Sequence, residues 1–251
     1  MTLSQPKHNF IFATILTGIY DVNRNETLPE DDFGRVKDWY DALLKLNLRG
    51  VLFHNTFSEK TVKKYQNDLI SFENVSFDTQ FNPNVFRYLV YQAYLNQHFE
   101  RIENVFVTDI SDVVAVQNPF VQPLFLNHPN ALFCGDELEI LDNKWMQNHS
   151  THLRNSIAGF QEYEEKNKNK TLLNCGIIGG NVPTMRDLMN DLAHVHRTYT
   201  RQNKTLFTLD MGAFNYIVRT KFEAHLIHGA PVNTQFKKYE SERIDCWFRH
   251  K

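Results

Sequence analysis

Cysteine is scarce in this 251-residue chain: Cys134, Cys175 and Cys246 stand far apart and form no CxxC pair. An odd count so arranged argues against both a disulfide framework and a zinc knuckle, and reads the thiols as small buried hydrophobes. Long apolar runs are missing too. Residues 10–16 form an apolar run far below the roughly 20 residues that a bilayer-spanning helix needs, and the first ten residues lack the apolar stretch of a signal peptide. Neither sign of charge prevails: 27 basic residues face 29 acidic ones, for a net charge of -2. That balance gives no electrostatic ground for binding nucleic acid or an anionic membrane. Internal repeats and linker-like stretches are absent. Five Asn-x-Ser/Thr triplets, at Asn25, Asn74, Asn148, Asn169 and Asn203, matter only in a secretory compartment, and in so asparagine-rich a chain they read as chance. The expected setting is reducing and cytoplasmic.

What is present is ordinary globular composition, 42% hydrophobic and 22% charged, in a chain long enough for one α/β domain over residues 1–251. Residues 10–17 (FIFATILT) predict a strand buried on both faces, because the apolar run is continuous rather than alternating. Helical spacing of Phe33, Val36, Trp39, Tyr40, Leu43 and Leu44 predicts a helix over 32–46. A strand at 50–53 and a helix at 58–65, capped by Ser58, follow. Further helices are expected over 84–97, 183–199 and 208–218, and further strands over 103–108, 131–135, 171–178, 224–227 and 245–248. Residues 161–171 carry mixed charge and read as an exposed helix end and loop. Alternating strands and helices predict a three-layer α/β/α sandwich around a mainly parallel sheet, with ligands bound outside the carboxyl ends of the strands.

The segment 105–113 (VFVTDISDV) concentrates the chemistry. A hydrophobic strand delivers Asp109 and Asp112 at its carboxyl end, the edge where such sheets bind ligands. Paired carboxylates suit a hard divalent cation, Mn²⁺ or Mg²⁺, able to bridge a diphosphate. The competing reading is that both aspartates only cap the following turn. Downstream, Gly176, Gly179 and Gly180 either permit close backbone approach to a ligand or form a tight strand-to-helix turn with positive φ, and Asn181 is placed to cap the helix that follows. Asp210 opens a helix, as a general base or as a plain N-cap. His228 and His250 are candidate third metal ligands, with His250 preferred because it follows the apparent last strand.

Thr108 to Phe120 (TDISDVVAVQNPF) resembles the acidic signature of GT-A glycosyltransferases, with Asp-x-x-Asp in place of the familiar Asp-x-Asp. The variant is similar to that of nucleotide-diphospho-sugar transferase-like proteins, among them the virus-encoded capsid-glycosylating enzymes of chlorella viruses. Other segments follow in the family's order. Residues 16–24 (LTGIYDVNR) look like its nucleotide-gripping first strand and loop, which implicates Thr17, Asp21 and Arg24. Residues 82–95 resemble the helix before the acidic strand, with Arg87 towards the donor. Residues 172–189 are similar to the segment lining the sugar pocket, which implicates Asn174, Gly176 and Gly179. Residues 208–218 (TLDMGAFNYIV) resemble an acceptor-side acidic segment whose usual Gln is here Met211, leaving Asp210 to act at the acceptor, with Glu137 framing the sugar. The resemblance implies a hexosyl- or deoxyhexosyltransferase using a UDP- or GDP-sugar and a glycan or glycoprotein acceptor, with host cytoplasm as the setting if viral.

Two rivals remain at the level of sequence. A haloacid-dehalogenase-like phosphohydrolase also places Asp after a strand, but it wants its second Asp two residues on and usually near the N-terminus. A non-catalytic nucleotide-sugar or carbohydrate-binding module would present the same pocket. The abrupt end at His250-Lys251 suggests a domain excised from a longer chain.

Overall fold

A computed structural model describes residues 6–21, 25–200 and 209–251. Its strands are β1 (His8–Ile15), β2 (Tyr20–Asp21), β3 (Glu26–Thr27), β4 (Arg49–His54), β5 (Ile70–Asn74), β6 (Ile102–Thr108), β7 (Val113–Ala115), β8 (Leu132–Ile140), β9 (Thr171–Asn181), β10 (Leu226–His228) and β11 (Phe248–His250). The α-helices are α1 (Lys37–Lys45), α2 (Glu59–Tyr65), α3 (Pro83–His98), α4 (Pro123–Asn127), α5 (Lys144–His149), α6 (Thr151–Ser156), α7 (Phe160–Asn167), α8 (Val182–Val195) and α9 (Asp210–Ile217). Seven strands form one sheet in the order β10-β8-β9-β6-β1-β4-β5. Neighbours pair in parallel except at β9, which runs antiparallel to both β6 and β8.

The sheet is therefore mostly parallel, as the alternating pattern predicts, with helices on both faces. On one face α3, α8 and α9 pack through Tyr88, Tyr91, Leu188, Leu192 and Phe214; on the other, Trp39 and Leu43 of α1 close over Ile11, Leu52 and Phe106. Burial of residues 11–13 in β1 and 105–108 in β6 on both faces explains their continuous apolar runs. Two predicted caps are present: Ser58 accepts from the Thr61 N–H at 3.2 Å, and Asn181 accepts from the Thr184 N–H at 2.8 Å. All three cysteines are free and buried. Among the described residues, no helix is long and apolar enough to cross a membrane.

Several local expectations change. Gly176, Gly179 and Gly180 lie inside the long strand β9, and the positive-φ glycines among the described residues are Gly18, Gly159 and Gly229 instead. Gly179 faces Phe106 across the β6–β9 pair, and a Cβ there would sit 2.2 Å from the ring. Its missing side chain is space for a fully buried phenyl ring, not a ligand wall. Gly179→Ala is expected to overpack this spot and lower stability by roughly 1–3 kcal/mol. Calorimetry should show a fall in Tm of about 3–10 °C; an unchanged Tm would contradict the packing account. The short strands β5 and β7 and the helices α4, α5 and α6 were not legible as elements. The last strand includes His250 rather than preceding it. The helix expected over 183–199 ends its α-helical part at Val195 and continues as a π-helical turn, His196–Thr200.

Candidate metal centre and cleft

Strand β6 is anchored where it matters. Buried Trp39 donates its indole N–H to Thr108 Oγ1 at 3.0 Å, and the Asp109 N–H donates to the Gly176 carbonyl at 2.8 Å, extending the β6–β9 pairing one residue past the strand. The chain then turns through residues 110–112 into β7. That short strand pairs antiparallel with β11, setting His250 opposite Val113, while the Lys251 N–H donates to the Asp112 carbonyl at 2.9 Å. A further bond, from the His250 N–H to Thr234 Oγ1 at 2.8 Å, fixes the histidine backbone. The C-terminal strand thus brings His250 to two carboxylates far away in sequence. One ligand atom from each of Asp109, Asp112 and His250 lies within 4.8 Å of the others. His250 Nε2 is 3.9 Å from Asp112 Oδ2.

The donor set fits a divalent cation. Two half-buried carboxylates supply charge and oxygen ligands, and one neutral imidazole adds nitrogen, a mixture that hard-to-borderline ions accept. His250 is 2% exposed, and its buried Nδ1 has no hydrogen-bond partner among the described residues. Burial pushes its pKa down and Arg87 adds to this, while Asp109 opposes, so the neutral, ligating form prevails. Gly176 forms the floor: a Cβ there would lie 2.7 Å from His250 Cε1 and 2.8 Å from Asp109 Oδ2.

Arg87, on α3, ties this cluster to the other wall. Its guanidinium binds Asp109 Oδ1, and Nη2 reaches Asp210 Oδ2 at 3.5 Å and Cys175 Sγ at 3.3 Å. Burial opposes its charge, yet Asp109 foremost, with Asp210, holds the guanidinium pKa well above the usual arginine value. Beneath it the Tyr88 ring stacks on fully buried His196 at 5.5 Å between centroids. Burial, reinforced by Arg87 and His149, takes the His196 pKa down to about 3, so a neutral imidazole lies near the cation. Asp210 is in the first turn of α9 rather than at its N-cap, which is Leu209, and it accepts the Met211 N–H at 2.9 Å.

Asp109, Asp112, His250, Arg87 and Asp210 line a cleft of about 860 Å³ outside the carboxyl ends of β1 and β6. Leu16, Ile19, Leu28 and Pro83 give it an apolar lining. On its polar wall, Glu137 accepts from Asn174 Nδ2 at 2.9 Å, while Asn174 Oδ1 accepts the Gly176 N–H at 2.7 Å. Burial raises the Glu137 pKa, with the Asn174 bond opposing.

The cleft thus gathers Asp109, Asp112, Arg87, Glu137, Asn174, Gly176, Asp210 and His250. Thr17 is not on its wall. Its N–H donates to Asn55 Oδ1 and its carbonyl accepts from Asn55 Nδ2, each at 2.9 Å, and its hydroxyl meets Thr56, so it clamps the exits of β1 and β4 together. Gly179 lies under Phe106, as above. His228 sits on the edge strand β10 with Nδ1 2.9 Å from Asp136 Oδ2, outside the three-residue cluster. Arg24 lies outside the described residues, and of Asp21 only the backbone in β2 is described. Sequence reasoning missed Trp145, Asn143 and Lys237 on the cleft wall. The Asn143 cap, which accepts the Met146 N–H at 2.9 Å, was the available signal for the first two. No protein-family model matches the chain, and no curated protein matches it either.

Proposed function

We propose that this protein is a metal-dependent glycosyltransferase of the GT-A type, moving a sugar from a nucleoside-diphosphate sugar to a hydroxyl of a glycan or glycoprotein. The observation that carries this reading is the meeting of Asp109, Asp112 and His250 at the floor of a cleft at the carboxyl edge of parallel strands. Those three residues would hold Mn²⁺ or Mg²⁺, and the ion supplies charge neutralisation for a departing diphosphate. The apolar lining formed by Leu16, Ile19 and Leu28 suits a nucleobase, and the Glu137–Asn174 pair suits sugar hydroxyls.

Asp210 and Glu137 are the candidates to take the acceptor's proton. Asp210 is engaged by Arg87 and by the Met211 N–H. Glu137 accepts a hydrogen bond from Asn174, and burial raises its pKa, which makes it the stronger proton acceptor. In this reading Glu137 is the better base and Asp210 positions Arg87 and the acceptor. A cytoplasmic setting agrees with three free thiols.

Thermal-shift titration with UDP-, GDP- and dTDP-sugars, each with and without Mn²⁺, tests the proposal. A donor that stabilises the protein only with metal, by roughly 2–3 kcal/mol at about 100-fold excess over Kd, is the expected result. Silence from every donor under both conditions, beside metal-dependent hydrolysis of a phosphate monoester, would favour the phosphohydrolase instead.

A further inference from the structure

Of three tryptophans, Trp39 and Trp247 are each 1% exposed, whereas Trp145 is 53% exposed and stands on the cleft wall. Its ring is not loose. It stacks on His149 at 4.4 Å between centroids and 24° between planes, and His149 Nε2 lies 3.7 Å from Asp210 Oδ1. The helix carrying both rings is pinned at its start by Asn143, which caps Met146 and donates to the Ile140 carbonyl at 2.6 Å. Burial keeps His149 towards its neutral form, although Asp210 opposes, so the stack presents an uncharged aromatic face. Glu137, Glu139 and Asn143 also line the cleft.

We infer that the cleft wall at Trp145 is a carbohydrate subsite in which the pyranose ring of a sugar acceptor lies on the indole. The inference rests on the glycosyltransferase reading for the sugar's role as acceptor. A pyranose has an apolar C–H face, which packs on an indole, and a rim of hydroxyls, which donate to carboxylate and amide oxygens. The stack also links the platform to Asp210, and through it to Arg87 and the metal cluster, so a ring seated on Trp145 is held beside the candidate reaction centre. The acceptor is accordingly a glycan, and a glycoprotein serves through its sugar rather than through a serine or threonine side chain.

Because the other two tryptophans are buried, acrylamide quenching of intrinsic fluorescence reports mainly on Trp145. A panel of methyl hexosides, 6-deoxyhexosides and pentosides should be titrated alone and with UDP or GDP plus Mn²⁺. Protection of the fluorescence by at least one glycoside is expected. Ligand-observed saturation-transfer NMR should then show Trp145→Ala weakening that glycoside about tenfold and Trp145→Phe weakening it only a few-fold, with the thermal shift from nucleotide plus Mn²⁺ unchanged in both. If no glycoside protects Trp145 under any condition, or if Trp145→Ala binds as tightly as the parent, the subsite is overturned. The two readings fail separately. A metal-dependent nucleotide shift without glycoside binding sinks the subsite alone, whereas glycoside protection with no nucleotide or metal response sinks the transferase reading and leaves a sugar-binding cleft.

Discussion

Asp112→Asn is expected to abolish the Mn²⁺-dependent stabilisation by nucleotide-sugar and to lower transfer on the order of 10²–10³-fold, while leaving the metal-free protein folded. The first half follows from the donor set. Asp112 supplies one of only two carboxylates in the cluster, and an amide oxygen carries no formal charge to hold a divalent ion. Charge stabilisation of a leaving diphosphate by a metal is worth several kcal/mol, and each ~1.4 kcal/mol is tenfold in rate. The second half follows from exposure. The Asp112 side chain is 31% exposed and an amide is isosteric with its carboxylate, so the change should disturb the fold by well under about 1 kcal/mol. Metal-free melting curves should superimpose on those of the parent. Full transfer by the variant in Mn²⁺ would refute a metal role for Asp112.

Arg87→Ala should do the reverse, destabilising the protein far more than Asp112→Asn does. Arg87 is 13% exposed and lies between Asp109 and Asp210, whose side chains are 30% and 12% exposed. Removing it leaves two carboxylates confined together without their shared cation, an arrangement that costs about 3–5 kcal/mol in buried pairs. Water at Asp109 screens part of this, so a loss of about 3 kcal/mol is expected in urea or guanidinium unfolding, with little change in m. Lysine is a poor substitute, because one ammonium cannot span Asp109, Asp210 and Cys175 as the planar guanidinium does. Arg87→Lys should therefore recover only part of the lost stability. A fully stable Arg87→Ala protein would show that the clamp is not structural.

Which parts of this site were legible in the sequence depended on the range of the interactions involved. Asp109 and Asp112 could be placed because a fully buried strand has a continuous apolar signature and its end is a ligand edge. Ser58 and Asn181 could be placed because a cap bonds to backbone three residues away. Gly176 and Gly179 could not be told apart, although they are three residues apart on one strand. One leaves room for the metal cluster and the other for Phe106, and only the register of β9 against β6 assigns them. The antiparallel course of β9 was hidden for the same reason: a strand buried on both faces looks alike in either direction. Thr17 resembled a ligand-binding residue, but its partners, Asn55 and Thr56, come from the exit of β4.

The sequence by itself determined the α/β class, the mostly parallel buried sheet, the principal strands and helices, and the two carboxylates at the end of β6. All of these are written in apolar periodicity and in contacts between residues a few positions apart. Tertiary structure settled that His250, which the sequence only narrowly favoured over His228, meets those carboxylates, and it alone decided that Arg87 joins Asp109 to Asp210 and that Trp145 is the exposed aromatic of the cleft. Each of those relations joins elements distant along the chain. Strand order and register bring them together, and no local pattern in the amino acids encodes either.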